Sequence, residues 1–499
     1  MSRQDFTPIP SPETISKPRE AAFIALMVMT QLLTQAGLAQ TVVPGQFISR
    51  TMGVAGDAGE ISWFTAAFSL GVGTFILIAG RLGDLYGYKN IFLISYVWLA
   101  LWYMLCGISH YSGNVIFFDV TRFCQGLAYA FATPNSIALL GHFYPPGPRR
   151  NLGMALFGGI APGGFVIGAL FSSMFLETTT WPWIFYSGAF VACAMVGLGW
   201  LIIPKRIGSP DEGVFDYLGA FTGVTCLVLF NFAWNQGPVV GWDKPYVYVL
   251  LIVGILSGVL FVYAEKKAKN PLIPPSVINR DILFMLGCIA TGWSSFGIWN
   301  FYTFQWGTLI LGESPTRVSI QFIPCMIAGM CCSLLTGGVL IRKLPTSAVM
   351  VIAMACFLVG SCLMATRPVG QIYWAQMFVS CIIMTGGMDI SFPAGVMIMS
   401  NRLPKHQQGI SASVVATTVN YSISIGLGFA GTVQYYLQKN GASEMKAMRG
   451  CFYMGIGLSG LAMMIGLVFL GSQFVFPVPG EKSEPDSDSA PAEDVDGKV

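Results

Sequence analysis

The stretch GNVIFFDVTRFCQGLAYAFATPNSIALLGHF, residues 113–143, holds Arg122 in a run long and apolar enough to cross a bilayer. An arginine at the centre of a membrane helix costs about 2.5–3.5 kcal/mol on insertion scales, and it cannot shed its proton to escape that cost. Two readings remain. The side chain either snorkels to the surface from near a helix end or faces an internal polar cavity. The second has the larger consequence, because a cavity inside a membrane bundle is where a solute or a proton is carried.

The rest of the chain has the same character. Of 499 residues, 54% are apolar and only 10% are charged, which places the protein among polytopic membrane proteins. Fourteen windows are long enough to cross a bilayer: 21–43, 61–80, 90–109, 114–140, 151–175, 181–203, 217–236, 245–263, 282–306, 319–341, 347–366, 371–398, 410–436 and 450–472. The polar residues 1–20 make the first run a span rather than a signal peptide. With the N-terminus inside, the inner loops carry fourteen basic residues (Arg81, Lys89, Arg149, Arg150, Lys205, Arg206, Lys266, Lys267, Lys269, Arg280, Arg342, Lys343, Arg402 and Lys405). The outer loops carry seven: Arg50, Lys244, Arg317, Arg367, Lys439, Lys446 and Arg449. This excess obeys the positive-inside rule and puts both termini in the cytoplasm. The residues from 473 to 499 are acidic and rich in Ser and Pro, and read as a disordered cytosolic tail.

Several function classes drop out. The net charge of +3 is scattered over short loops, so no nucleic-acid surface is expected. No GxxxxGK[ST] loop occurs, no cofactor is implied, and His110, His142 and His406 lack metal-ligand spacing, so no metal is expected either. Cysteines such as Cys106, Cys124, Cys226, Cys331 and Cys332 fall within apolar runs and read as small core residues.

The chain matches itself weakly at an offset of 259 residues, which lays Pro134 on Pro393, Pro145 on Pro404, and ISWF (61–64) on IQFI (320–323). The spans stay in step under this shift. Two six-helix bundles follow, 21–203 and 282–472, with 204–281 contributing an inserted pair of helices. Such repeats mark secondary transporters, whose solute site lies between the halves near the midplane. Span 12, the partner of span 4, carries Asp389 in GGMDISFPAG, roughly 18 Å from its inner end; Arg122 lies roughly 12 Å from the outer end of span 4. Asp119 precedes Arg122 by three residues and shares its helix face, although its shallower position also allows simple hydration.

Further motifs carry mechanism. In GRLGDLYGYKN, residues 80–90, the Asp84 carboxylate can face the positive end of a neighbouring helix or the nearby Arg149 and Arg150. In GGIAPGGFVIG, residues 158–168, glycines four apart allow close helix approach, and Pro162 can kink the span as a hinge. Span 1 presents Thr34, Gln35 and Thr41 along a polar stripe, and span 9 presents Trp293 and Asn300 at the same rhythm. Such stripes either line a cavity for a partly aromatic organic molecule or glue helices together.

The 80–90 loop resembles the signature of the major facilitator superfamily, matching it at Gly80, Leu82, Asp84, Gly87 and Lys89, while Leu85 and Tyr88 stand where basic residues are usual. The resemblance implies that Asp84 latches the two halves in one state. RFCQGLAYA, residues 122–130, is similar to the R-x-x-Q-G motif linked to proton coupling, which carries over to Arg122, Gln125 and Gly126. The glycine-rich run resembles the antiporter signature at Gly159, Pro162, Gly163, Gly164 and Gly168. Together with fourteen spans, these motifs resemble the fourteen-spanner drug:proton antiporter family, and MTQLLTQAGLAQT and GGMDISFPAG look like its fungal branch near the aminotriazole and boron resistance permeases.

The resemblance implies a major facilitator fold that is all-α, with small-molecule substrate and proton as partners, and a monomer in the bilayer of the plasma or vacuolar membrane. One departure matters. The family often has an Asp in an L-D-x-T pattern of span 1, where LAQT (38–41) has Ala39. A carboxylate elsewhere must then titrate. Asp389 is the candidate, with Arg122 and Asp119 as further members, and Arg122 either meets Asp389 or answers to the same proton. The expected function is proton-coupled export of xenobiotics or a fungal secondary metabolite, with permeation of a small inorganic solute such as ammonium or borate as the alternative. No enzymatic activity is expected.

Overall fold

Side chains that cap helix starts set the crossings. The Asn114 side chain accepts from Phe117 N at 3.0 Å and starts the helix that carries Arg122, Val115–Phe143. Asp57, Asp216 and Asn279 do the same for the helices that begin at Ala58, Tyr217 and Arg280. Between the second and third crossings the chain turns at Gly87, whose φ of +88° is open to glycine without steric cost.

The computed structural model describes residues 16–145, 147–204, 207, 215–268, 271–273, 278–401 and 408–475. Among them, every regular element is helical, and fourteen helices are long and apolar enough to cross a membrane. Spans 1–6 are Lys17–Val42, Ala58–Tyr86, Tyr88–Ser112, Val115–Phe143, Leu152–Thr178 and Pro182–Ile202. Spans 7 and 8 are Tyr217–Val240 and Pro245–Lys267. Spans 9–14 are Arg280–Ile310, Pro315–Leu335, Thr346–Thr366, Met377–Ser400, Ile410–Lys439 and Glu444–Gln473. The protein is an all-α, multi-pass membrane protein.

Four boundaries differ from the sequence reading by six residues. Span 2 runs on to Tyr86 rather than 80, so Arg81 and Asp84 lie on its last turns and not in a loop, and span 10 ends at Leu335 rather than 341. Span 12 starts at Met377 rather than 371, after turns that include Gly370 at φ +86°. Span 14 starts at Glu444, so Lys446 and Arg449 lie on its first turns rather than in a loop. A short helix, Gly45–Thr51, follows Pro44 outside span 1. Lys205, Arg206, Lys269, Arg402, Pro404, Lys405, His406 and the residues 1–15 and 476–499 lie outside the described residues.

Buried apolar side chains gather in two large clusters. One is drawn from residues 23–207; the other is built mainly on 282–469 and takes in residues of spans 1, 2 and 5. The halves meet along two seams. On the first, span 2 lies against span 13: the Ser424 hydroxyl donates to the Ala66 carbonyl at 2.9 Å, and a Cβ at Gly73 would sit 2.7 Å from Tyr421 N. On the second, span 5 lies against span 10. Span 7 flanks the first seam, where Asn231 Oδ1 lies 2.8 Å from Ser424 Oγ and Gln236 accepts from Trp63 at 3.0 Å, and span 8 packs on span 7.

Candidate functional site

Arg122 is fully buried, and glycines explain how its charge is tolerated. A Cβ at Gly126 would overlap the Phe68 carbonyl, and one at Gly71 would lie 2.9 Å from Leu127 N, so spans 2 and 4 touch backbone to backbone. That approach brings the Phe64 carbonyl to 3.2 Å from Arg122 Nε. Nη2 donates to the Gly37 carbonyl at 2.7 Å and to Thr41 Oγ1 at 3.3 Å, and Nη1 donates to Gln125 Oε1 at 2.5 Å. The guanidinium also lies 4.7 Å from the Phe68 ring centre and 5.7 Å from that of Phe185. Charge-assisted hydrogen bonds and cation–π contacts thus replace water.

All these partners belong to spans 1, 2, 4 and 6. Arg122 therefore does not meet Asp389. No acidic side chain pairs with it within 4.0 Å among the described residues. Asp119 has a buried Oδ1 with no hydrogen-bond partner and feels the charges of Glu60 and Arg122. Glu60 is a neighbour that sequence reasoning missed. It sits in the first turn of span 2, where Asp57 accepts its backbone N–H at 3.1 Å, so its sequence signal is that of a helix start.

Asp389 lies on the second seam. Ser333 of span 10 donates to its Oδ1 at 3.3 Å, while its Oδ2 is buried without a partner. A Cβ on Gly329 would sit 2.8 Å from that Oδ2 and 2.8 Å from Cβ of Pro162. The carboxylate and the proline of the antiporter-like motif therefore flank one glycine of span 10. Ser391, two residues along span 12 and therefore on another face of it, accepts from Trp293 Nε1 at 3.0 Å, which ties span 9 to span 12 away from the carboxylate.

The second seam differs at its two ends. Towards the outside, Ser173 and Ser319 share a hydrogen bond of 2.8 Å, and Glu177 accepts from Thr316 N and Oγ1 at 3.0 and 2.8 Å. Towards the inside, a Cβ at Gly158, Gly159 or Gly337 would meet nothing within 4 Å. Asp389 stands between the tied end and the open one.

The glycine-rich motif divides its work. The helix is interrupted at Ile160, between Pro148–Gly159 and Ala161–Thr178, with Pro162 in the first turn of the second piece. Pro162 has no N–H for the Gly158 carbonyl. Gly164 and Gly168 face span 1, where a Cβ would lie 2.5 Å from the Leu32 carbonyl and 2.7 Å from that of Ala36. Gly163 faces Met326 of span 10 at 3.4 Å.

The latch residues pair differently from the sequence reading. Asp84 interacts with Arg81 at 3.6 Å and accepts from the Tyr88 hydroxyl at 2.7 Å, instead of pairing with Arg149 or Arg150. Arg81 is one helical turn away on the same face, whereas Arg149 lies 4.0 Å from Glu20 of span 1 and Arg150 lies against Gly141. Lys89 donates to the Trp200 carbonyl at 3.0 Å and to that of Ile203, closing the end of span 6. Gly80 faces Ser413 of span 13 at 3.8 Å.

Of the expected cavity residues, Thr34 bonds to the Thr30 carbonyl at 2.8 Å and to Thr133 at 3.0 Å. Thr41 bonds to the Phe64 carbonyl and to Thr65, each at 3.1 Å, and Gln125 bridges Arg122 to the Trp102 carbonyl at 3.2 Å. These three join helices to one another. Gln35 and Trp293 are half-buried, and Asn300 is buried on span 9.

Residues 23–428 match the Major Facilitator Superfamily. The chain belongs to that superfamily. A Saccharomyces cerevisiae protein named low affinity ammonium transporter is 48% identical over 91% of this chain and 89% of its own length. The efflux pump terJ of Aspergillus terreus is 41% identical, covering 92% of this chain and 90% of the pump. The aminotriazole resistance protein of Saccharomyces cerevisiae is 37% identical over 92% and 85%. A solved peptide-transporter-family structure, PepTSo, superposes with a TM-score of 0.63 at 15% identity, covering 92% of this chain and 99% of that one, which speaks to the fold alone. The chain is thus a major facilitator transporter of the fungal drug-efflux-type branch.

Proposed function

We propose that this transporter exports small organic compounds, xenobiotic or secondary metabolite, in exchange for protons at the plasma membrane. The observation that carries the reading is the unpartnered Oδ2 of Asp389 beside Gly329 and Pro162, where the tied end of the second seam gives way to the open one. An ionised carboxylate there has one hydrogen bond, from Ser333 at 3.3 Å, to hold its charge, so a proton and the arrangement of spans 5 and 10 bear on the same few ångströms. Bundles 21–203 and 282–472 then rock about the seams as a monomer, and protonation of Asp389 accompanies one direction of the swing. Arg122 holds spans 1, 2 and 4 as a rigid group, while Asp119 and Glu60 form the outward acidic pair. The efflux-pump relatives support the export direction.

A second reading, ammonium permeation, is favoured by the 48%-identical ammonium transporter. One experiment separates the two. Expressed in a pump-deficient yeast, an exporter lowers accumulation of aminotriazole, and a protonophore restores it. An ammonium permease instead restores growth of an ammonium-permease-deficient strain on limiting ammonium, with accumulation of aminotriazole unchanged.

A further inference from the structure

We propose that Glu177 is the outer gate residue of this transporter: by capping the first turn of span 10 from the other bundle, it holds the outside shut while the inside is open. The inference rests on the alternating movement of the two bundles. It starts from an oddity in span 5, whose last turn carries this acid and no basic residue. A carboxylate there works against the negative end of its own helix. What justifies its place lies outside span 5.

Span 10 starts at its outer end with Pro315, where the Ser314 side chain accepts from Arg317 N at 3.3 Å and leaves the Thr316 amide for another acceptor. Glu177 takes that amide at 3.0 Å and the Thr316 hydroxyl at 2.8 Å. The carboxylate thus faces the positive end of span 10, which offsets the misfit with its own helix. Ser173, four residues back on span 5, and Ser319, three on along span 10, share a hydrogen bond of 2.8 Å, and both are buried. The two contacts therefore lie one turn apart on facing sides of the two helices. Arg317, the neighbouring cation, is turned to Glu313 at 3.4 Å, so Glu177 holds neutral donors rather than an ion pair.

These bonds discriminate between arrangements because their partners lie on different bundles. Spans 5 and 10 cannot part on the outside without breaking both contacts. Parting on the inside, where Gly158, Gly159 and Gly337 have free space around them, leaves both intact. Breaking them returns Glu177 to the unfavourable end of span 5 and hands the Thr316 amide to water. Glu177 is exposed, so water makes up most of the loss, and its cap favours the closed outside by a factor of about two to five. A contact of that strength suits a gate that closes and opens in every cycle.

The test uses the full chain in nanodiscs, with accessible native cysteines replaced and one of two pairs of spin labels. The outer pair is Met174→Cys and Ile320→Cys, exposed on spans 5 and 10; the inner pair is Gly158→Cys and Gly337→Cys. Glu177→Ala is expected to raise the ratio of long to short outer distances about two- to fivefold over the parent, and adding Ser173→Ala should raise it further. Glu177→Gln can accept from the amide and donate to the hydroxyl, so its ratio should stay within about twofold of the parent. Loss of stability alone would lower the unfolding temperature without producing this order. A parental outer ratio in Glu177→Ala, or a ratio in Glu177→Gln as high as in Glu177→Ala, overturns the gate. If that happens while the parent shows protonophore-sensitive aminotriazole uptake into inside-out vesicles, the gate fails and the exporter stands. If Glu177→Ala raises the outer ratio while the inner pair keeps its parental distances, the gate stands and the alternating movement fails.

Discussion

Replacing Gly329 by alanine probes the seam at its tightest point. The added Cβ would sit 2.8 Å from Asp389 Oδ2 and 2.8 Å from Cβ of Pro162. The proline ring is fused to its own backbone and cannot rotate aside. Regaining an ordinary carbon–carbon separation of about 3.5 Å requires spans 5 and 10 to part by roughly 1 Å. Overpacking of this kind costs about 1–3 kcal/mol. The cost falls only on arrangements in which the seam is closed at Gly329, so the equilibrium shifts by about 5- to 150-fold towards those in which spans 5 and 10 separate there. Two assays read this out: protonophore-sensitive aminotriazole uptake into inside-out vesicles, expected to fall at least about fivefold at equal membrane abundance, and the distance between labels at positions 158 and 337. Gly158→Ala, where a Cβ meets nothing within 4 Å, is the control for uptake and should transport as the parent protein does. A Gly329→Ala transporter with parental uptake and parental distances would refute the reasoning.

Three further outcomes follow from the same contacts. Arg122→Lys cannot reach the Gly37, Phe64 and Gln125 acceptors together; losing one or two charge-assisted bonds should destabilise the protein by about 3 kcal/mol, read as a lowered unfolding temperature in detergent. Thr34→Val removes a hydroxyl spent between spans 1 and 4, so stability should drop by about 0.6 kcal/mol with transport unchanged; a large transport defect would return Thr34 to the cavity. Gly168→Ala drives a Cβ to 2.7 Å from the Ala36 carbonyl and should cost about 1–3 kcal/mol, seen as reduced membrane abundance.

The sequence made the fourteen crossings legible because each needs a long apolar run, and the observed helices depart from those runs chiefly at their ends. Span 12 loses residues 371–376 to turns, and span 14 gains a turn carrying Lys446 and Arg449. The burial of Arg122 was legible for the same reason. Its partners were not, since the carbonyls of Gly37 and Phe64 carry no side-chain signature and become acceptors only through close packing at Gly71 and Gly126. Arg149 and Arg150 looked like partners for Asp84 because loop charges can be counted but not placed; the residue one turn back, Arg81, and Tyr88 take that role. The meeting of Asp389, Ser333 and Pro162 joins three helices far apart in sequence, and only tertiary packing reveals it.

Proton movement through Asp389 tests the account most directly. Purified parent and Asp389→Asn proteins would be reconstituted into liposomes holding a pH-sensitive dye, and lumenal pH would be followed after addition of aminotriazole, with its accumulation measured in parallel. The account predicts that the parent protein moves protons with the solute, and that Asp389→Asn moves solute only down its own gradient with no lumenal pH change. Solute-dependent proton flux in Asp389→Asn at the parental rate would contradict it.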